Sequence, residues 1–270
     1  MIRVLVEFGP FRIFSYGLML TLAFALGILL AVVRGRRRGI PPDAVLDLST
    51  LIVVAAVVGA RLLYVVEHLE AYSVRWWDVF RVWEGGLTVY GGASVAVLAS
   101  VVFCRRRGLA FLKVADTLAP SMALGVGITR VGCFLNGCCF GEPCGLPWAV
   151  TFPQGSFASV CLGQMAVHPA QLYASAVGFA VFGVLLWLDR KPRPTGWLFW
   201  LFVLLFAGAT FWTDFTRYWE PGSRFLRLGS VALSLNQLLE AGLFLLAIVG
   251  LTSVARGRRG GGGVGGHEDP

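Results

Sequence analysis

Seven long apolar stretches divide this chain, and short polar or basic segments separate them. They run over residues 13–33, 49–69, 88–104, 115–135, 169–189, 196–213 and 232–252. A helix needs roughly 20 mainly apolar residues to cross the hydrocarbon core of a bilayer, and each stretch is close to that length. The pattern therefore predicts an all-α polytopic membrane protein with about seven transmembrane helices.

Composition supports a membrane protein. The 270 residues are 57% hydrophobic and only 14% charged, whereas a soluble domain carries about 25% charged residues. The net charge of +8 would suggest a nucleic-acid partner in a soluble protein. Here most lysines and arginines flank apolar stretches, so they indicate contact with membrane lipid and no nucleic-acid partner.

The basic residues also predict an orientation. They cluster after the first, third, fifth and seventh stretches, and these four segments hold 14 of the 23 lysines and arginines. Because cytoplasmic loops carry an excess of positive charge, these segments are predicted to be cytoplasmic. The N-terminus is then outside, the C-terminus is cytoplasmic, and residues 136–168 form an irregular outward-facing segment between spans four and five.

The same pattern predicts the domain organisation. The first apolar stretch is too long for a signal-peptide core and is followed by arginines, so it is interpreted as the first span. We predict a single transmembrane helical domain over residues 1–255, including the excursion at 136–168. Residues 256–270 are predicted to be a basic, Gly-rich cytoplasmic tail.

A few charged residues lie within or beside the apolar stretches, where an unpaired charge costs about 2.5–3.5 kcal/mol or more. They are Arg61, Asp116, Arg130 and Arg217. A structural ion pair between Arg61 and Asp116 is one interpretation of the first two, and a place in a functional site is the other. Arg130 and Arg217 both lie toward the predicted outward end, which favours a site.

Two arginines at one end of a helix bundle suit a phosphate ligand. Guanidinium groups match phosphate oxygens and stay charged when buried. We therefore predict an outward cavity, lined by Arg130 and Arg217, that binds a phospholipid headgroup. Asn136 and Gln237 are candidates for orienting its esters or hydroxyls.

The segment Ile128-Thr129-Arg130-Val131-Gly132-Cys133-Phe134-Leu135-Asn136-Gly137-Cys138-Cys139-Phe140-Gly141 resembles the signature of the prolipoprotein diacylglyceryl transferase family. Further blocks of that family follow the same order along nearly the whole chain. They are Phe14–Met19, Gly59–Tyr64, the glycine pairs at 85–86 and 91–92, Ala115–Asp116, His168–Tyr173 and Thr213–Arg217.

This resemblance implies an enzyme that moves a diacylglyceryl group from phosphatidylglycerol to the lipobox cysteine of a prolipoprotein, forming a thioether. It implies the bacterial cytoplasmic (inner) membrane, an active site facing the outer leaflet, and no cofactor or metal. The phosphate-contacting arginines of the family correspond to Arg130 and Arg217. Other matching positions expected to bind substrate are Tyr16, Arg61, Asp116, Asn136 and Gly137.

The chain departs from the family pattern at three positions. Tyr90 stands where the family usually has a histidine, and Cys133 and Cys138 stand where it usually has an asparagine and a glutamate. Tyr90 is therefore predicted to act in catalysis as a hydrogen-bond donor or proton acceptor. The alternative is a diverged member without this activity, acting as a lipid-binding or thiol-redox membrane protein. A solute transporter is disfavoured because no internal repeat is discernible.

Five of the six cysteines lie between residues 133 and 161. Cys138, Cys139, Cys144 and Cys161 are candidates for disulfides or reactive thiols, because an oxidising exterior permits disulfides. Cys144 with Cys161 is one plausible pair, although spacing does not fix connectivity. A metal site formed by Cys133, Cys138, Cys139 and Cys144 is disfavoured because their spacing lacks the paired C-x-x-C pattern, so no metal is predicted.

Overall fold

A computed structural model describes residues 4–8, 11–73, 75–82, 85–219, 224–228 and 231–260. Within these residues, seven helices are long and apolar enough to cross a membrane. They are α1 (Ser15–Arg37), α2 (Pro42–Glu67), α4 (Val89–Arg106), α5 (Phe111–Asn136), α7 (Ala170–Leu188), α8 (Trp197–Thr213) and α9 (Leu235–Gly260). Two short helices, α3 (Leu69–Ser73) and α6 (Phe157–Leu162), lie in the connections. The predicted architecture of an integral membrane protein is confirmed.

Two short antiparallel hairpins precede the first and last of these helices, and the hydrophobic pattern did not predict them. β1 (Val4–Phe8) pairs with β2 (Phe11–Phe14), and β3 (Arg224–Leu228) pairs with β4 (Val231–Ser234). A strand of only four or five residues cannot be distinguished from the start of a helix by periodicity. The apolar stretch that begins at residue 232 is therefore β4 followed by α9.

The predicted C-terminal tail is described only at its start. Helix α9 continues to Gly260, and residues 261–270 lie outside the described part of the chain. The predicted boundary at residue 255 stays a prediction.

The chain forms two compact units, one of residues 31–117 and the other of residues 1–30 with 118–270. In the first of these, α2 packs closely against α4. A Cβ atom at Gly91 would overlap the backbone oxygen of Gly59 and the side chain of Leu63. The absence of side chains at both glycines therefore sets the distance between the two helices.

We expect Gly91→Ala to lower the free energy of unfolding of the purified protein by about 1–3 kcal/mol, since the added methyl forces the α2 and α4 backbones apart. Thermal unfolding in detergent measures the change. Gly125→Ala in α5 is the matched control, because no atom lies within 4 Å of the added Cβ there. Equal unfolding temperatures for the two variants would contradict the packing argument.

In the larger unit, small and large side chains from α5, α7 and α8 build an apolar core. Ala119 and Ala123 of α5 pack with Val181, Leu185, Leu198 and Phe202. The irregular segment after α5 has its own core, made by Phe140, Phe152, Ala158 and Val167, with Phe134 and Tyr218 packed against it. This second core supports the loop that carries the candidate site.

Candidate functional site

The candidate site is built on the loop that follows α5. Asn136 ends the helix, and Gly137 turns the chain with φ of 74°. Cys139 also has a left-handed backbone, with φ of 58°, and is the one non-glycine residue with positive φ among those described. Such a conformation costs about 1–3 kcal/mol and persists where surrounding contacts fix it. The loop conformation is therefore imposed by its neighbours.

Two sets of hydrogen bonds supply those contacts. The backbone N–H of Glu142 donates to the Thr216 carbonyl (2.9 Å), and that of Tyr218 donates to the Phe140 carbonyl (3.0 Å). The fully buried Gln171 donates from Nε2 to the Cys138 carbonyl (2.8 Å). The loop is thus paired with the segment that carries Arg217, and the α7 side chain fixes its start.

This pairing assembles a thiol cluster. The sulfur atoms of Cys133, Cys138 and Cys139 all lie within 4.8 Å of one another. Hydrogen bonds from the Cys133 and Cys138 thiols hold the pKa of Cys139 well below the ordinary value for cysteine, and the charges of Arg217 and Arg130 lower it further. The sequence spacing alone did not indicate that these three thiols meet, and the fold brings them together.

The two predicted arginines converge on the same region from separate elements. Arg130 comes from α5, and Arg217 follows the short 3-10 helix Asp214–Thr216. Both guanidinium groups act electrostatically on Cys139, on Asp214 and on Glu240. Arg217 also stacks on the Trp219 ring, 4.7 Å from its centroid. The site therefore has two guanidinium groups, each able to bind an anion through two N–H donors.

Two acidic residues accompany the arginines. Asp214 is buried and its Oδ1 lies 3.8 Å from Nη1 of Arg217. Glu240 of α9 was not predicted, and its Oε2 is buried without a hydrogen-bond partner. A carboxylate within an apolar span is expensive, so the lone glutamate in the seventh stretch was the sequence signal that could have found it.

Three of the residues predicted to bind substrate, Tyr16, Asn136 and Gly137, lie near the thiol cluster. Tyr16, in the first turn of α1, is near enough to interact electrostatically with all three thiols and with Arg130. The Asn136 side chain lies near enough to the Cys138 thiol to interact with it. A Cβ at Gly137 would come within 3.0 Å of the Ser156 Cβ, so the position has no room for a side chain.

Gln237 makes hydrogen bonds at the start of α9. Its Oε1 accepts from the Ser234 N–H (3.0 Å), while the Ser234 hydroxyl accepts from the Gln237 N–H (3.2 Å). Its Nε2 donates to the Phe211 carbonyl (3.4 Å). This reciprocal pair is a capping box at the start of α9. The side chain therefore caps a helix, and its predicted part in orienting substrate stays a prediction.

Three predicted residues lie in the unit of residues 31–117. Arg61 is buried and donates to the carbonyls of Val79 (2.8 Å) and Gly85 (2.7 Å). Asp116 lies 3.8 Å from Nη1 of Arg38. The suggested pairing of Arg61 with Asp116 is therefore replaced by separate partners. Tyr90 is in the first turn of α4 and is 37% exposed.

The remaining cysteine prediction concerned a disulfide. All six cysteines are free thiols in the structure, Cys144 and Cys161 among them. The suggested disulfide between Cys144 and Cys161 is therefore not formed in this structure.

Fold and site together define an integral membrane protein with two arginines, two carboxylates and three thiols gathered at one end of its helices. The sequence profile described as prolipoprotein diacylglyceryl transferase matches residues 3–253. The chain belongs to the prolipoprotein diacylglyceryl transferase family, as its signature segment indicated.

Several curated relatives are similar over most of their length. A phosphatidylglycerol–prolipoprotein diacylglyceryl transferase of Bordetella avium is 34% identical over 258 residues, which is 94% of each chain. The enzyme of that name from Chromohalobacter salexigens is 35% identical over 91% of this chain and 89% of its own. The enzyme of that name from Geobacter sulfurreducens is 33% identical over 89% of this chain and 90% of its own.

Proposed function

We propose that this protein transfers the diacylglyceryl group of phosphatidylglycerol to the cysteine thiol in the lipobox of a prolipoprotein. The relatives carry the name of this reaction over most of this chain's length. The observation that carries the proposal is the convergence of Arg130 and Arg217, from separate elements, on one group of polar side chains. A membrane protein with such a site is suited to a phospholipid headgroup.

The reaction places its main demand on the leaving group. As the bond between the glycerol carbon and the phosphate oxygen breaks, negative charge grows on the phosphate. Preorganised cationic donors stabilise such charge most where water is excluded. Arg130 and Arg217 are proposed to supply that stabilisation, and the products are a thioether on the peptide and glycerol phosphate.

The acceptor sulfur must attack as a thiolate. A free cysteine has a pKa of about 8.5, so removing its proton requires only modest assistance near neutral pH. Tyr90 stays a predicted participant, as a hydrogen-bond donor or proton acceptor. Tyr16, Asn136 and Gly137 are proposed to shape the pocket around the headgroup, because all three adjoin the thiol cluster or the loop that carries it.

We place this site at the outer leaflet of the bacterial cytoplasmic membrane. Four basic segments follow alternate spans, and the positive-inside rule assigns them to the cytoplasm. The end of α5 and the segment before α9 then lie on the opposite side, where prolipoproteins present their lipobox peptides.

The decisive experiment uses the purified full chain in vesicles that contain phosphatidylglycerol labelled in its diacylglyceryl group. We expect a lipobox peptide to gain the mass of the diacylglyceryl group and the label. The same peptide with serine in place of cysteine should gain neither. Vesicles of phosphatidylethanolamine alone test the headgroup requirement.

A curated relative, assayed in the same vesicles, is the positive control. Should that enzyme modify the peptide while this protein binds labelled lipid and transfers none of it, the transferase assignment fails. The lipid-binding alternative would then hold.

A further inference from the structure

The thiols of Cys133, Cys138 and Cys139 have the arrangement of a metal-ligand set. Their three sulfur atoms lie within 4.8 Å of one another, which is close to the spacing that a single ion requires. Zinc binds thiolate sulfur at about 2.3 Å, so sulfur ligands of a tetrahedral ion lie about 3.8 Å apart. Side-chain rotations that shorten the sulfur separations by up to about 1 Å would give that geometry.

The backbone around the cluster favours this convergence. Cys138 N–H donates to the Cys133 carbonyl (3.2 Å), which folds the loop back over the end of α5. Cys139 is held in a left-handed conformation, and a non-glycine residue held there marks a position that the fold constrains. Gln171 holds the loop from α7. Three sulfurs are therefore brought together by a rigid scaffold.

We propose that Cys133, Cys138 and Cys139 bind one zinc ion, and that the acceptor thiol of the peptide substrate occupies its fourth coordination position. Soft thiolate ligands favour zinc over harder divalent ions such as magnesium, calcium and manganese, which prefer oxygen ligands. Zinc sites with three protein ligands leave one position for water or substrate, whereas structural sites are closed by four. Arg130 and Arg217, which act on Cys139, offset the negative charge of the thiolates.

This inference rests on the proposed function and adds a route to its nucleophile. A thiol that coordinates zinc loses its proton, here to water. The bound sulfur then forms the carbon–sulfur bond while the carbon–oxygen bond to phosphate breaks, and the electron pair of that bond leaves with the phosphate. No group is oxidised or reduced. The zinc-bound cysteines thus promote deprotonation of the acceptor thiol. A histidine at position 90, where this chain has Tyr90, would otherwise be expected to do so.

The first test measures metal binding without any transfer reaction. Purified full-chain protein is reduced, stripped with a chelator and titrated with Zn²⁺ or with Co²⁺. We expect one ion per chain and a sulfur-to-cobalt charge-transfer absorption. Adding a lipobox peptide should change that absorption as a fourth sulfur binds, and the serine form of the peptide should leave it unchanged.

Single substitutions identify the ligands. Cys133→Ser, Cys138→Ser and Cys139→Ser should each lower zinc affinity at least about 100-fold, more than the loss of a group that only orients a ligand. Cys144→Ser and Cys161→Ser are the matched controls, since these thiols lie outside the cluster, and should bind normally. Failure of the wild-type protein to hold one ion, or normal binding by all three cluster variants, overturns the site. An unchanged spectrum on adding the cysteine peptide overturns the role of the fourth position.

An activity measurement separates this inference from the proposed function. Stripped protein should lose transfer to the peptide and regain it when Zn²⁺ is restored. If stripped protein transfers as fast as the loaded form, the zinc inference fails and the proposed function stands. If loaded protein binds the cysteine peptide at the metal and transfers nothing from phosphatidylglycerol, the proposed function fails while the metal site stands.

Discussion

Replacing Arg130 or Arg217 by glutamine is expected to lower kcat/KM for diacylglyceryl transfer at least about 100-fold, because each removes one cationic donor from the developing phosphate charge. Glutamine retains a hydrogen-bond donor, so the loss reports the charge and the forked geometry of the guanidinium. Transfer of labelled lipid to a lipobox peptide measures the rate. Lysine at either position should restore only part of it, since an ammonium group cannot bind two phosphate oxygens in the same plane.

Arg193→Gln is the matched control for these variants. Arg193 is an exposed arginine that stacks on Trp197, 4.6 Å from its ring centroid, in a predicted cytoplasmic segment. Its loss should leave the transfer rate within about twofold of wild type, as surface substitutions away from special features usually have small effects. If Arg130→Gln and Arg217→Gln behave like this control, the two arginines do not bind the leaving phosphate.

Asp214→Asn should produce the second largest loss of activity. Asp214 is buried beside Arg217, with 3.8 Å between the paired atoms, and its own carbonyl accepts from the Arg217 N–H (3.3 Å). Removing the charge while keeping the shape releases the guanidinium from its position. A displacement of about 1 Å in a catalytic group can cost about 100-fold in rate, so we expect a fall of about 10-fold to 100-fold in kcat.

The split between kinetic constants shows whether Asp214 positions Arg217. A positioning role predicts a larger change in kcat than in the KM for phosphatidylglycerol, with little change in unfolding temperature. Asp47→Asn is the matched control, because Asp47 pairs with Arg107 at 2.6 Å while both side chains are about half exposed. Exposed pairs contribute about 0–1 kcal/mol, so this variant should retain activity. A fall in protein stability alone for Asp214→Asn would contradict the positioning role.

The membrane-spanning part of the fold could be predicted because its cause is local. A stretch such as 169–189 is apolar at almost every position, and its backbone can be satisfied in lipid only as a helix. Helix ends were predicted less well. α1 continues to Arg37, beyond the apolar stretch that ends at residue 33, because hydropathy marks the hydrocarbon region and backbone hydrogen bonds mark the helix.

Some residues of the candidate site carry a signal in the sequence and others do not. Arg130 and Arg217 stood out because charge beside an apolar span is costly, and the family signature marked Tyr16 and Asn136; their roles stay predictions. Glu240 carried the same signal of cost in α9 and was overlooked. The helix-capping bonds of Gln237 were not predicted, because sequence gives no sign of whether an amide will face a ligand or cap its own helix.

The sequence by itself determined the number of spans and the family, and it singled out the two arginines, since each is encoded in a continuous segment or in a motif. Only the tertiary structure decided that the thiols of Cys133, Cys138 and Cys139 meet, and that Arg217 lies beside a loop nearly 80 positions earlier in the chain. The physical reason is that these contacts depend on backbone pairing between distant segments and on the left-handed turn at Cys139. Neither leaves a periodic pattern in the residues concerned.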